Sequence, residues 1–123
     1  MKVTVIGAGL AGCEAAWTLA QQGIAVRLYE MKPQQYTPAH QYKGFAELIC
    51  SNSLKAARIG SAAGMLKEEM RILGSLTMEA AQQTSVSAGG ALAVDRERFS
   101  DFITERILAH PLIAVVHQRV DHL

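Results

Sequence analysis

Apolar residues dominate positions 3, 5 and 6, which predicts a strand over about Lys2–Ile6. The period then lengthens. Ala15, Ala16, Leu19 and Ala20 give a helix over about Ala11–Gln22 a small apolar face, and Gly23 reads as its C-terminal cap. A second strand follows over about Ala25–Tyr29. Residues 31–44, MKPQQYTPAHQYKG, hold two prolines and no clear period, so they read as a loop. FAELIC then rises into Cys50 and gives way to a polar turn, Ser51-Asn52-Ser53. From Gly60 the pattern is helical again. Leu66, Met70, Leu73 and Thr77 share one face, with Lys67, Glu68, Glu69 and Arg71 opposite. Gly74 is expected to break or kink that helix, which 78–83 continue, and Met65, Met70 and Met78 read as core filler. Ser87–Gly90 is a turn and Leu92–Val94 a short strand. Asp95 then caps a helix over about Arg96–Ala109, with Phe99, Phe102, Ile103, Ile107 and Leu108 as its apolar stripe. Pro111 stops it before a strand over Ile113–His117.

This alternation of strands and helices predicts an α/β fold, a Rossmann-like FAD/NAD(P)-binding domain on a parallel sheet. Its chemistry is concentrated at the first turn, Gly7-Ala8-Gly9-Leu10-Ala11-Gly12. Gly7 permits the tight exit from the strand, Gly9 lets the backbone approach a pyrophosphate, and Gly12 lets helix and strand pack closely. The free N–H groups of the helix start suit phosphate oxygens. Glu30 closes the second strand, where a carboxylate can accept hydrogen bonds from ribose hydroxyls. Glycines alone are weak evidence, and a ligand-free glycine-rich turn is the plain alternative. The preceding strand, the following helix and Glu30 together favour a dinucleotide. Ala16, Gly23 and Glu30 extend the spacing toward that of FAD-binding motifs, although the glycines would also serve an NAD site. Glu30 argues against a tightly held NADP, whose 2′-phosphate would face a carboxylate.

Composition narrows the class without naming a reaction. The 123 residues are 50% hydrophobic and 19% charged, enough for one soluble domain with a real core. A net charge of +1 provides no general attraction for nucleic acid or membrane surfaces. No apolar run approaches the roughly 18 residues of a membrane span, and no secretory signal is seen. Two cysteines suggest no disulfide framework, and with a dinucleotide fold they suggest a reducing cytoplasm. Cys50 is the thiol to watch, since a helix turn beginning there, with Lys55 nearby, would favour a thiolate. A lone cysteine after apolar residues also reads as a small buried hydrophobe. For Cys13 that structural reading is stronger. His40, His110, His117 and His122 show no metal-ligand spacing with the cysteines, so no metal is expected. Of these, His40, in the long loop, is the functional candidate, and the other three read as surface residues.

VIGAGLAGCEAAWTLA, LYEMKP, TPAH, FAELICSNSL, GMLKEEMRILGSL and AGGALAVDRERFS resemble, in order, the folate- and FAD-dependent tRNA (uracil-5-)-methyltransferases. The resemblance runs from the start to about Phe102. It implies that residues 1–123 are the N-terminal part of an FAD-binding domain, with the rest of that domain and a substrate domain beyond them. It implies methylation of uracil C5 in the tRNA T-loop in the cytoplasm. The one-carbon unit would come from 5,10-methylenetetrahydrofolate and the electrons from NAD(P)H through FAD. Cys50 matches the family's first functional cysteine, acting as nucleophile or as acid–base group. A second one would lie beyond Leu123. Ser51, Asn52 and Ser53 are expected along the flavin ring. Asp95 and Arg96 match the AVDR segment, as site residues or as a helix cap with an ion pair. The tRNA would be held mostly by regions outside these residues, with no DNA or membrane partner. The alternatives are a related FAD-dependent protein modifying the tRNA wobble uridine, a flavin oxidoreductase with a small-molecule substrate, and an inert FAD half-site.

Overall fold

Residues 1–123 are described by a computed structural model. β1 (Lys2–Ile6), α1 (Leu10–Gln21) and β2 (Ala25–Glu30) form the expected strand–helix–strand unit. β1 and β2 are parallel, in register from Lys2 against Ala25 to Ile6 against Tyr29. Parallel neighbours need a crossover, and α1 supplies it. Gly23, at φ +83°, ends α1. Its N–H donates to Ala20 O, and the Ile24 N–H donates to Leu19 O. These paired bonds satisfy two of the helix's last carbonyls. Along β2, Val26, Leu28 and Glu30 are buried, while Arg27 is exposed. One face of this sheet is therefore packed and the other largely open.

The chain then leaves the sheet. Residues 31–52 contain no helix or strand, as the prolines imply. β3 (Ser53–Ala56) follows, then α2 (Ala62–Ile72), α3 (Leu76–Gln83), β4 (Ser85–Val86), β5 (Ala91–Val94) and α4 (Arg96–Ala109). β6 (Ile113–His117) returns to pair in parallel with β2, giving the order β1-β2-β6. The short strands make a second sheet, antiparallel, in the order β3-β5-β4. The main core joins the buried side of the parallel sheet to α1, α3 and α4 through Ala16, Leu28, Leu76, Phe99, Ile103 and Ile107.

One local expectation holds and four are corrected. Gly74, at φ +82°, breaks the helix, as expected: α2 and α3 are separate, and α3 has its own cap in Ser75, whose side chain accepts the Met78 N–H. The Leu66–Met70–Leu73 face does not enter the core: Leu66 is 57% exposed and Leu73 86%. α2 buries Gly64 instead, where a Cβ would stand 1.6 Å from the Arg58 carbonyl oxygen. Met65 is also exposed, and of the three methionines Met78 is the one buried. On α1, Cys13, Ala16 and Ala20 are buried and Ala15 is not. On α4, Leu108 faces out, and buried Ser100 takes a core position because its hydroxyl donates to the Phe45 carbonyl.

Candidate functional site

The end of β1 and the start of α1 build the phosphate side of the site. Gly7 adopts φ +96°, and its N–H donates to Tyr29 O at 2.7 Å, tying the turn to β2. A Cβ on Gly12 would stand 1.8 Å from the Gly7 carbonyl oxygen, so only glycine allows α1 this close to the turn. Gly9 differs, because a Cβ there would meet no atom of the chain within 4 Å. Packing does not require glycine at that position, whereas close approach of a ligand to the backbone does. Gly9 caps α1 without a side-chain hydrogen bond, and no acid lies in the first turn. The helix start thus presents unshielded N–H groups and partial positive charge, suited to a diphosphate.

The ribose side lies at the end of β2. Buried Glu30 accepts the Ala8 N–H on Oε1 at 3.3 Å, and its other oxygen has no hydrogen-bond partner in the chain. The carboxylate borders a cleft of about 240 Å³ between the glycine turn and the 31–47 segment. Gly7, Ala8, Gly9 and Glu30 line it, together with Met31, Lys32, His40 and Glu47. The structure therefore brings Gly7, Ala8, Gly9 and Glu30 together around one cleft, and their donors and acceptor fit the ADP part of a dinucleotide. Lys32 and Glu47 were not singled out from sequence. They form an ion pair at 3.1 Å, and Lys32 is only 4% exposed. The signal available was a lysine two residues after Glu30, which is too common to notice by itself.

The cysteines separate clearly. Cys13 is buried, its thiol donating to Ala8 O at 3.4 Å, and burial together with the nearby Glu30 and Glu14 pushes its pKa up to about 12. It is a packing residue held in its neutral form, as expected. Cys50 is exposed, not a buried hydrophobe. No helix begins there, since the next element is β3 from Ser53. The expectation of a thiolate favoured by helix N–H groups is corrected, because the segment extends to pair with β5. Ser51 Oγ accepts the Ser53 N–H, Ser53 Oγ accepts the Lys55 N–H, and the Asn52 side chain donates to Val94 O. These bonds hold Cys50 at the edge of the small sheet. It is not among the residues walling the 240 Å³ cleft. Asp95 caps α4 by accepting the Arg98 N–H, and Arg96 reaches the Leu48 carbonyl at 3.5 Å. The cap is present, and the ion pair expected between Asp95 and Arg96 is not. His110 packs edge-on against Trp17 and bonds Gln21, so it is more than a surface residue.

A family model described as glucose inhibited division protein A (GidA) matches residues 2–123. The chain belongs to the GidA family. This GidA-family chain is 64% identical over 119 residues to the methylenetetrahydrofolate–tRNA-(uracil-5-)-methyltransferase TrmFO of Geotalea uraniireducens, which covers 97% of the chain and 27% of that protein. The protein of the same name from Ligilactobacillus salivarius is 58% identical over 122 residues, covering 99% and 28%. The chain thus spans little more than a quarter of the length of these curated relatives. Among solved structures, GidA from Aquifex aeolicus superposes with a TM-score of 0.73 at 19% identity, over 94% of the chain and 19% of that protein. A mutant of 2-methyl-3-hydroxypyridine-5-carboxylic acid oxygenase gives 0.52 at 19% identity, over 93% and 31%. At such identity these neighbours establish the fold alone, which is Rossmann-like. No helix of the chain is long and apolar enough to cross a membrane.

Proposed function

We propose that these residues are the N-terminal part of the FAD-binding domain of a folate-dependent tRNA (uracil-5-)-methyltransferase. The observation that carries this reading is the 57–64% identity to methyltransferases of that name across 97–99% of the chain. The glycine turn, its Gly9 opening and Glu30 support it as a place for the ADP half of FAD. In this reading the N–H groups from Gly9 to Gly12 hold the diphosphate, and the free Glu30 oxygen accepts from a ribose hydroxyl. When bound, FAD supplies the redox step that turns a folate-borne one-carbon unit into a methyl group, with electrons from NAD(P)H. In this reading Ser51, Asn52 and Ser53 would line the ring end of the cofactor, and Cys50 would meet the T-loop uridine of the tRNA.

Uracil C5 is a poor nucleophile. A thiolate at Cys50 adding to C6 forms the S–C6 bond and moves the ring's electron pair toward O4, which makes C5 nucleophilic. The same thiol at hydrogen-bond distance from the base could instead transfer the C5 proton. Exposure of Cys50 on a short, braced segment supports either role. The test is Cys50→Ala in the full-length protein, assayed for 5-methyluridine formation in tRNA and for bound flavin absorbance. Methylation is expected to vanish while flavin stays bound. Normal methylation would mean that Cys50 takes no part in the reaction.

A further inference from the structure

Lys32 is a fully satisfied buried ammonium. Its Nζ donates to Tyr42 O at 2.9 Å, Gly44 O at 2.7 Å and Glu47 Oε1 at 3.1 Å. An ammonium has three donors, and all are used. Glu47 spends its other oxygen on the N–H groups of Gln41 and Tyr42, at 2.9 and 3.1 Å. The pair therefore gathers both ends of the 32–47 loop at one point. The next residue in from Glu47 extends the linkage. The Ala46 N–H donates to Ala8 O at 2.8 Å, and the Ala8 N–H donates to Glu30 Oε1. The contacts form a closed ring: Ala8 to Glu30, along the chain to Lys32, across to Glu47, back to Ala46 and so to Ala8. Both hydrogen-bonding groups of the Ala8 peptide, in the middle of the glycine turn, are fixed by this ring. The ring also encloses the cleft that Glu30 and Gly9 border.

We propose that Lys32 and Glu47 are positioning residues for the dinucleotide: their ion pair closes a ring that aims the Glu30 carboxylate and the glycine-turn N–H groups at the ADP moiety. The proposal rests on the dinucleotide reading of the cleft. Breaking a buried pair from one side leaves an uncompensated charge. Here the damage reaches the ligand through Glu30 and Ala8, because all three Lys32 donors are used within the loop and Glu47 is engaged by Lys32, Gln41 and Tyr42. The same saturation leaves no ammonium N–H for a 2′-phosphate, so the ring suits an unphosphorylated ribose.

The test uses Lys32→Met and Glu47→Gln in the full-length protein, each alone and combined with Glu30→Ala. Two readouts are taken: amide hydrogen exchange over residues 40–47 without ligand, and the FAD dissociation constant by flavin fluorescence. Faster exchange is expected at Gln41, Tyr42 and Ala46, with FAD binding weakened about tenfold or more. Combined with Glu30→Ala, Lys32→Met is expected to add little further loss, since it acts through Glu30, whereas general destabilisation would add in full. If Lys32→Met does not fold, Glu47→Gln and the paired swap Lys32→Met with Glu47→Leu carry the same measurements. Unchanged exchange and affinity, or fully additive losses, would overturn the proposal. Faster exchange in a protein whose parent binds no FAD would overturn the dinucleotide reading instead, and with it the purpose assigned to the ring.

Discussion

Three glycines of the first turn share one motif spacing, but their physical demands differ. Gly12 is needed by the fold, because a Cβ there collides with the Gly7 carbonyl oxygen at 1.8 Å. Gly9 is needed by nothing in the chain. Gly12→Ala is therefore expected to lower thermal stability sharply, by several degrees or more, since the backbone must move. Gly9→Ala is expected to leave the melting temperature nearly unchanged while weakening FAD binding about tenfold, the new methyl group standing where the pyrophosphate would approach. Calorimetry and flavin titration of the two full-length variants check the pair. Equal effects on both readouts would mean that Gly9, like Gly12, is there for packing. The placement of Gly7, Gly9 and Glu30 around one cleft was legible in sequence because strand, turn and helix had to sit in that order. The fates of the two thiols were only half legible. Cys13 follows from the helix period, whereas Cys50 depends on Ser53 pairing with Ala93, a contact forty residues away in sequence that no local pattern encodes.

At the scale of elements, the regular pieces with strong local periodicity were readable to within a residue or so, β2 and α4 among them. The 31–47 segment was readable only as a loop. Its order comes from side chains acting over distance: the Lys32–Glu47 pair, Ser100 on Phe45 O, and the Tyr42 hydroxyl donating to Asp101 at 2.6 Å. That last bond pushes the Tyr42 pKa up to about 12. Glu47 gives the segment a pH signature. Burial pushes its carboxyl upward, but the Gln41 N–H, the Lys32 ammonium and the Tyr42 N–H together hold it below the ordinary 4.5. A carboxyl whose pKa is lowered on folding binds its proton more readily in the unfolded chain. Its stabilisation is complete above about pH 4.5 and is lost as pH falls from there through the lowered folded value. The expected outcome is that acid destabilisation between neutral pH and pH 3 is shallower in Glu47→Gln than in the parent. Melting temperatures across that range check it, and parallel curves would mean the pair contributes no pH-dependent stability.

Across the whole molecule, burial is uneven in a way the hydrophobic pattern did not forecast. α2 carries as clear an amphipathic pattern as α4, yet Leu66, Ile72 and Leu73 are exposed while Phe99, Ile103 and Ile107 are at most 1% exposed. Periodicity says which residues share a helix face. It does not say which face meets the core, and here the one residue α2 buries is Gly64, which sits against the Arg58 carbonyl. α4 is instead drawn in from several sides. It packs on α1, on α3 through the Arg106–Glu79 pair at 2.8 Å, and on β6. Truncations should report this asymmetry directly. Phe99→Ala removes a fully buried ring and is expected to cost about 3–5 kcal/mol. Leu73→Ala, at a position 86% exposed, is expected to change the stability of residues 1–123 by no more than about 0.5 kcal/mol. Chemical denaturation of the two variants of this chain measures both. A Leu73→Ala cost approaching that of Phe99→Ala would mean that α2 turns its apolar face inward in solution, as its helical period alone predicts.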